Sequence, residues 1–309
     1  MKRVLVTGAS GFIGSHCLDP LVARGYEIHA VASRAIPFEL DGVTWHRTDL
    51  LDDRERGALV SSVEPTHLLH LAWFVAPGKV IDAAVNLDWT RASIGLYKEF
   101  VECGGQRAVT AGSSYEYDWR FGYCSEEVTP LAPDTTYGAC KKALGDLVSA
   151  YADVCGLASA WARIFFLYGP REHPDRLVSS VVRSLLADAP ALCSHGEQIR
   201  DYLYVADVAD ALAVLLDSDV GGAVNVGSGR PIALKELVAA IGDKLDKPEL
   251  IRLGAIPARA NDAPLVVADV TRLAGVVGWA PAYDLDTGLE RTIDWWSEAA
   301  HVSAGPEAR

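Results

Sequence analysis

The sequence predicts an α/β fold, with a doubly wound parallel sheet and a smaller C-terminal unit. Short apolar runs alternate with amphipathic stretches through the first half of the chain, as in proteins whose helices cover both faces of a parallel sheet. Three glycines follow the first apolar run, where a helix is expected to begin. After Pro170 helical patterns dominate, and the 309 residues are enough for a second core.

The first half is predicted to contain five strands and three helices. Continuous apolar runs of this length are typical of strands that are buried on both faces. The predicted strands are "RVLVTG", "YEIHAVAS", "THLLHLAW", "RAVTAGSS" and "ASAWARIFFLYGP". The predicted helices are "FIGSHCLDPLVARG", "VNLDWTRASIGLYKEFVECGG" and "YGACKKALGDLVSAYADVCG". Alternation of this kind favours right-handed crossovers and one parallel sheet.

The second half is predicted to form a smaller unit that returns to the sheet late in the chain. "EQIRDYLYVADVADALAVLLDS" joins a short strand to a helix, and "GGAVNVGSG" is typical of one more sheet strand. "REHPDRLVSSVVRSLLADAP", "ALKELVAAIGDKL" and "IDWWSEAA" have helical periodicity. We therefore place the larger unit at 1–168, with returns near 203–228 and 283–298, and the smaller unit at 169–309.

Composition excludes several classes of function. The formal net charge of −13 disfavours binding to nucleic acid, whose phosphates the overall field repels. The six cysteines include no C-x-x-C pair, so we expect reduced thiols and no metal site. The apolar run from Val4 is too short for a signal peptide, and no window is long and apolar enough for a membrane span. We expect a cytoplasmic protein that does not bind membranes.

The glycine loop predicts a dinucleotide site of the Rossmann type. Gly8 permits a tight turn, Gly11 lets the backbone approach a pyrophosphate, and Gly14 lets the helix pack closely on the strand. The spacing is G-x-x-G-x-x-G, and its position behind a buried strand makes it specific. The other apolar residues predicted to contact the dinucleotide are Phe12, Ile13, Leu50, Leu71, Ala72, Phe165 and Phe166.

The end of the second strand bears on the choice of dinucleotide. An acidic residue at this point usually accepts hydrogen bonds from the adenine ribose hydroxyls of NAD. The chain has Ser33 and Arg34 instead, with no Asp or Glu between Glu27 and Glu39. A guanidinium binds a 2′-phosphate well, so we expect NADP(H) rather than NAD(H). Asp49 in "TDL" is either an adenine contact or a helix cap.

A serine, a tyrosine and a lysine are spaced for carbonyl chemistry. Tyr137 and Lys141 are separated by one helical turn in "YGACK", and Ser113 ends a predicted strand at the edge where such sheets bind ligands. When hydride reduces a carbonyl, Tyr137 can supply the proton to its oxygen. Tyrosine is a weak base in the reverse step, so an adjacent ammonium must lower its pKa, and Ser113 can hydrogen-bond the carbonyl oxygen.

Taken together, the motifs resemble the extended short-chain dehydrogenases/reductases that act on nucleotide sugars. They are "TGASGFIG", "HLAW", "SSYEY", "YGACK", "YGPR", "RDYLYVADVADAL", "NVGSG" and "GWAP", in the family's order from residue 7 to 281. The resemblance implies Ser113, Tyr137 and Lys141 as catalytic residues, with Lys141 also holding the nicotinamide ribose. It places residues 165–168 beside the nicotinamide.

The resemblance also implies a substrate site and a partner. Arg200 and Arg259 match positions that contact the nucleotide or its diphosphate, which implies a nucleotide-diphosphate sugar as substrate. Ser114, Tyr115 and His173 match positions near the sugar. Members of the family often form homodimers through two helices per subunit, which "WTRASIGLYKEFVE" and "ACKKALGDLVSAY" are placed to supply.

Within this group the sequence favours net reduction. Dehydratases place two acids after the first catalytic hydroxyl, where this chain has Ser114 and Tyr115. Epimerases that act beside a keto group often have Cys at the position of Tyr115. We expect an NADP(H)-dependent reductase of a keto group, at C4, on a nucleotide-activated deoxysugar. The alternatives are an NAD-retaining nucleotide-sugar C4 epimerase, a reductase of a non-sugar carbonyl, and a non-catalytic dinucleotide sensor.

Overall fold

Seven parallel strands form the central sheet of the computed structural model, which describes residues 2–34, 36, 39–258 and 262–303. The strand order is β11-β7-β5-β4-β1-β2-β3. The arrangement is Rossmann-like and confirms the predicted fold class. The strands are β1 (Arg3–Thr7), β2 (Glu27–Ala32), β3 (Val43–Arg47), β4 (His67–His70), β5 (Arg107–Ser113), β7 (Ala158–Ile164) and β11 (Gly222–Val226).

Helices cover both faces of this sheet because each connection between parallel strands crosses over it. On one face the first helix packs against the sixth, and on the other face the second, third and fourth helices pack in series. Two separate apolar cores result, one for each face. These helices are α1 (Phe12–Ala23), α2 (Asp53–Val63), α3 (Val85–Glu102), α4 (Thr136–Cys155) and α6 (Val205–Asp217).

A second sheet lies beside the first and has its own core. Its strand order is β12-β10-β14-β6. In addition, β8 pairs with β10, and β9 and β13 form a separate two-stranded sheet. Its strands are β6 (Tyr123–Cys124), β8 (Phe166–Tyr168), β10 (Ile199–Tyr204), β12 (Pro231–Ala233) and β14 (Leu265–Ala268); the pair is β9 (Ala191–Leu192) and β13 (Ile251–Arg252). The helices are α5 (Leu177–Leu186), α7 (Leu234–Lys244), α8 (Thr271–Gly275) and α9 (Leu285–Ser303).

Several elements differ from the sequence prediction, and the following differences concern the central sheet and its helices. β3 and α2 were not expected, because β3 is a half-exposed edge strand without an apolar run and α2 is rich in charged residues. The predicted strand "ASAWARIFFLYGP" is divided at Phe165, where the chain leaves the central sheet (β7) and enters the second one (β8). The division into units at residue 168 stays a prediction, and α9 packs against α5, α7 and β10.

No helix in the described ranges is long and apolar enough to cross a bilayer. The same part of the chain holds no group of three or more His, Cys, Asp or Glu side chains placed to bind a metal ion. A cleft lies at the carboxyl ends of β1, β4 and β5, and residues of both sheets line it. Ligands of open α/β sheets bind at this edge.

Candidate active site

A cleft of about 800 Å³ runs along the carboxyl ends of the central strands. This volume is in the range of pockets that bind small molecules. One part of its wall comes from the glycine loop and the strand ends, and another comes from the start of α5 and from β10. The lining includes most of the site residues predicted from the sequence: Gly8, Gly11, Phe12, Ile13, Gly14, Ser33, Leu50, Leu71, Ala72, Ser113, Ser114, Tyr115, Tyr137, Lys141, Phe165, Phe166 and His173.

The glycine loop has the shape that a bound pyrophosphate requires. Gly8 has φ of +69°, and a Cβ there would lie 2.7 Å from the backbone nitrogen of Ala72. A Cβ at Gly14 would overlap the carbonyl oxygen of Gly8. α1 begins directly after Gly11, so its free N–H groups face the cleft at the positive end of the helix dipole. These residues fit a dinucleotide.

The predicted adenosine contacts are only partly at the cleft. Ser33 lines it, whereas Arg34 lies on an exposed bend after β2 and is not among the described lining residues. Asp49 is also exposed, and its Oδ1 accepts a hydrogen bond from the backbone N–H of Leu51 at 3.0 Å. The cap of α2 is instead Asp52, which accepts from two backbone N–H groups.

Ser113, Tyr137 and Lys141 meet at the centre of the cleft. Ser113 is the last residue of β5, and its side chain hydrogen-bonds the Tyr137 hydroxyl. Tyr137 lies in the first turn of α4, which Thr135 caps through a 3.1 Å bond from the N–H of Gly138. Lys141 lies one turn further on and donates from Nζ to the carbonyl oxygen of Ala111 at 2.8 Å.

Burial pushes both ionisable groups of this trio toward their neutral forms. It raises the pKa of Tyr137 to about 12, with the Ser113 hydrogen bond acting in the opposite direction. It lowers the pKa of Lys141 to about 7, because Lys141 is only 3% exposed. A buried ammonium needs a stabilising contact if it is to stay charged and assist the tyrosine.

Trp73 provides such a contact and was not identified from the sequence. The Nζ of Lys141 lies 3.7 Å from the centre of the Trp73 ring, a cation–π distance. The indole Nε1 donates to Oδ1 of the fully buried Asn86 at 2.8 Å, which fixes the ring plane. Trp73 also meets Tyr137 edge to face at 6.4 Å. The only signal was its position at the end of "HLAW".

The carboxylate nearest to Ser113 is occupied by structural contacts. Glu116 is 1% exposed, and its Oε2 accepts from the guanidinium of Arg163 at 2.8 Å. Its Oε1 accepts from the indole of Trp161 at 2.9 Å and from the backbone N–H of Ser113 at 2.7 Å. Glu116 therefore braces the end of β5. Tyr115, the residue before it, lies edge to face with Tyr137 at 5.7 Å.

The predicted substrate residues of the second half are in different environments. His173 lines the cleft with a half-exposed side chain, and its Nδ1 accepts from the backbone N–H of Asp175 at 3.2 Å. Arg200 is buried, pairs with Asp262 at 2.6 Å and is not among the described lining residues. Arg259 lies outside the described residues.

Glu172 also lines this part of the cleft, and the sequence analysis missed it. Its side chain is 6% exposed, and Oε2 accepts from the hydroxyl of Ser179 at 2.7 Å. Burial raises the pKa of its carboxyl to about 7. In "REHPD" a glutamate among charged residues is typical of a solvated loop, so no local pattern indicated that this one is buried.

A Rossmann-like sheet with a glycine loop and a Ser–Tyr–Lys trio at its carboxyl edge defines a dinucleotide-dependent oxidoreductase of the extended short-chain type. The particular family follows from a family model described as the NAD dependent epimerase/dehydratase family, which matches residues 4–227. The protein belongs to this family, and the resemblance drawn from its motifs is confirmed.

Three similar proteins indicate the range of the family. The chain is 28% identical to a dTDP-glucose 4,6-dehydratase from Xanthomonas campestris pv. campestris, over 96% of this chain and 93% of that protein. It is 28% identical to a UDP-glucose 4-epimerase from Thermus thermophilus solved in complex with NAD, with a TM-score of 0.85 over 96% and 99% of the two chains. It is 29% identical to MoeE5, solved with UDP-glucose and NAD, with a TM-score of 0.84 over 96% of this chain and 99% of that one.

The predicted preference for NADP(H) is wrong. The family is NAD dependent, and both the Thermus thermophilus UDP-glucose 4-epimerase and MoeE5 were solved with NAD. The prediction relied on the absence of an acid after β2 and on Arg34 as a phosphate ligand. Because Arg34 lies on an exposed bend outside the described lining, the missing acid did not create a phosphate site. The protein is an NAD-dependent oxidoreductase of the nucleotide-sugar group.

Proposed function

We propose that the protein is a nucleotide-sugar C4 epimerase that retains its NAD. The observation that carries the proposal is the site itself. Ser113, Tyr137 and Lys141 meet in the cleft, while Glu116, the carboxylate closest in sequence, is paired with Arg163. Such a site can move a proton at a sugar oxygen. The two positions after Ser113 hold no acid, which disfavours dehydration.

Each residue of the trio has a separate task. The chemistry that bound NAD supplies is removal and return of a hydride at C4. Tyr137, as phenolate, takes the proton from the C4 hydroxyl and later gives it back to the oxygen. The Lys141 ammonium favours the phenolate by charge, and Ser113 hydrogen-bonds the same sugar oxygen.

The nucleotide-sugar substrate is supported by the relatives. A UDP-glucose 4-epimerase and a protein solved with UDP-glucose share its fold along nearly the whole chain at 28% and 29% identity. UDP-glucose is therefore the first substrate to test, with dTDP-glucose second because of the dehydratase relative. Net reduction of a 4-keto sugar is the second candidate, because the same trio carries out one half of the epimerisation and the order Ser113–Ser114–Tyr115 lacks an acid.

The test begins with the purified protein. We expect acid denaturation to release one NAD per chain, and UDP-glucose without added cofactor to give a C4-inverted product by proton NMR. Tyr137→Phe should retain NAD and lose turnover by about 10³-fold, because the proton has no carrier. Tyr151→Phe, at a partly exposed tyrosine in a later turn of α4, is the matched control. Oxidation of added NADH by a 4-keto sugar, with no inversion of UDP-glucose or dTDP-glucose, would establish the reductase instead.

We also propose that the protein forms a homodimer through α3 and α4. These helices expose four large apolar side chains, Leu87 and Ile94 on α3 and Leu147 and Val154 on α4, each at least 42% exposed. Apolar surface of this kind favours association. Light scattering should give twice the chain mass for the wild type and the chain mass for Leu147→Glu. A wild-type monomer would contradict the proposal. The cytoplasmic location stays a prediction.

A further inference from the structure

The turn between β8 and α5 places Glu172 at the cleft through an uncommon backbone conformation. Gly169 has φ of +151° and Arg171 has φ of +67°, in a region that side chains other than glycine seldom adopt. The ring of His16 in α1 hydrogen-bonds the carbonyl oxygen of Pro170 at 2.9 Å and holds the turn. Arg171 is exposed and Glu172 is buried. Conformations of this kind persist where the surroundings impose them, often at functional sites.

Glu172 is buried among few polar partners, and the groups that favour its ionised form come from one residue of α5 and one nearby arginine. Ser179, fully buried in the first turn of α5, donates its hydroxyl and also presents its backbone N–H. No other described side chain hydrogen-bonds the carboxyl, and the nearby Arg176 is exposed at the start of α5. Tyr202 of β10 is the ionisable group that faces Glu172 across the cleft wall.

Burial outweighs these contacts and moves the pKa of the Glu172 carboxyl to near neutrality. Desolvation is the largest influence on the pKa of Glu172 and raises it to about 7, while the Ser179 hydrogen bond and Arg176 lower it. On the turn itself, Arg171 and His173 are exposed to solvent. A protonated carboxyl whose one oxygen accepts from Ser179 still has an O–H to donate. Among the described residues no acceptor takes it, and the residue lines the cleft.

We propose that Glu172 binds the hexose as the protonated acid and donates a hydrogen bond to one of its hydroxyls. The inference rests on the proposed function, because it takes the nucleotide-activated hexose as the ligand. Glu172 is then the polar group by which the wall at the β8–α5 turn orients the sugar opposite Ser113 and Tyr137. The acid is a substrate contact and transfers no proton during the reaction.

The proposal predicts that hexose binding takes up a proton. A bound sugar excludes the remaining water from Glu172 and raises its pKa further, so the complex holds the proton more tightly than the free enzyme does. Affinity is then greatest below the pKa of the free enzyme and falls as the pH rises through that of the complex. Hexose binding has the opposite effect on Lys141, because desolvation lowers the pKa of an ammonium group and so releases a proton.

The experiment is isothermal titration in the Tyr137→Phe background, where no turnover adds heat. UDP-glucose is titrated at about pH 7 in two buffers of different ionisation enthalpy, and its Kd is measured at about pH 6 and about pH 8. UDP, which carries no hexose, is the control ligand, and dTDP-glucose with dTDP is the second pair. We expect proton uptake with the hexose but not with the diphosphate, and a Kd about 10-fold weaker at the higher pH.

Glu172→Gln should abolish both the proton uptake and the pH dependence while UDP binds as before. Asp175→Asn, an exposed carboxylate of the same turn, is the matched control and should behave as the parent. Ser179→Ala removes a bond that favours the ionised form, so it should move the loss of affinity to higher pH. This second variant keeps the test valid if Glu172→Gln does not fold.

Uptake that persists in Glu172→Gln, or that UDP alone produces, would overturn the inference. If neither UDP-glucose nor dTDP-glucose binds the wild type, both the inference and the proposed function are overturned. Proton uptake that depends on Glu172, in a protein that does not invert C4, would leave this inference standing and remove only the epimerase.

Discussion

Lys141 and Glu172 are both buried at the same cleft, and burial brings the pKa of each to about 7 from opposite directions. Lys141 belongs to the wall built by the central sheet, and Glu172 to the wall built by the β8–α5 turn. The partners differ. Lys141 has the face of Trp73 and a carbonyl oxygen, which both favour the cation. Glu172 has one serine and a solvent-exposed arginine.

The difference teaches that equal desolvation leads to different roles when the partners differ. A cation over an aromatic face can keep its charge in an apolar site, so Lys141 can lower the pKa of Tyr137. A buried carboxyl whose hydrogen-bond donors are neutral keeps its proton to a higher pH than an exposed one, so Glu172 can serve as a hydrogen-bond donor. The following experiments test whether the two groups differ in this way.

Replacing the lysine should have the largest effect. Lys141→Met keeps the length of the side chain and removes the charge, so Tyr137 loses the cation that favours its phenolate. We expect turnover of the sugar nucleotide to fall by about 10³-fold, with the chain still folded. Lys142→Met, which removes the neighbouring ammonium paired with Asp146, is the matched control. A loss below about 10-fold would show that Lys141 does not assist Tyr137.

The two groups should make stability depend on pH in opposite directions. The pKa of Glu172 is raised on folding, so its stabilising contribution is present below about pH 4.5 and lost as the pH rises to about 7. The pKa of Lys141 is lowered, so the wild type gains stability relative to Lys141→Met between about pH 7 and about pH 10.5.

Urea unfolding measures both effects. Relative to Glu172→Gln, the wild type should lose on the order of 2 to 3 kcal/mol of unfolding free energy across the acid range. Changes of the same sign for both variants would contradict the comparison. A flat difference for Glu172→Gln would show that its carboxyl does not titrate as its burial implies.

Removing the aromatic face should have a smaller effect than removing the cation. Trp73→Leu lowers the pKa of Lys141 further, because the ammonium loses a contact of about 1 to 2 kcal/mol. At about pH 7 we expect turnover to fall about 10-fold and to recover partly at lower pH, where Lys141 is again protonated. Trp73→Phe retains a ring and should stay within about threefold of the wild type. Equal loss in both variants would point to packing rather than to the charge of Lys141.

Replacing the exposed Arg34 should have the smallest effect. Arg34 is solvated on the bend after β2, so Arg34→Ala should leave NAD content, turnover and stability within about twofold of the wild type. The measurement is NAD released per chain together with the initial rate. A loss of NAD would show that Arg34 reaches the dinucleotide despite its exposed position.

Local spacing was enough for one wall of the cleft. The glycine loop directly follows β1, and Tyr137 and Lys141 lie one helical turn apart, so their proximity is a property of the helix itself. Ser113 was placed by the rule that carboxyl ends of parallel strands share one edge. The late strand at residues 222–226 was also predicted from the segment "GGAVNVGSG".

The rest depended on segments that are distant in sequence. The sequence shows Trp73 and Lys141 as separate residues, and only the packing of α4 beside the end of β4 puts the ring over the ammonium. The absence of an acid near Arg34 suggests a phosphate site in the sequence, although a guanidinium binds only what it can reach. β3 and α2 were missed because neither has the apolar pattern that marks a buried element.

By itself, the sequence determined the class of fold and the glycine loop, and it singled out Ser113, Tyr137 and Lys141, because these follow from the repeats of helices and strands and from the shared edge of parallel strands. The tertiary structure alone decided which ionisable groups are desolvated and what they face. Burial raises the pKa of the Glu172 carboxyl to about 7, whereas Arg34 is exposed to solvent, although both stand in charged, loop-like stretches of sequence. Desolvation depends on everything that surrounds a side chain, and most of those neighbours lie far away along the chain.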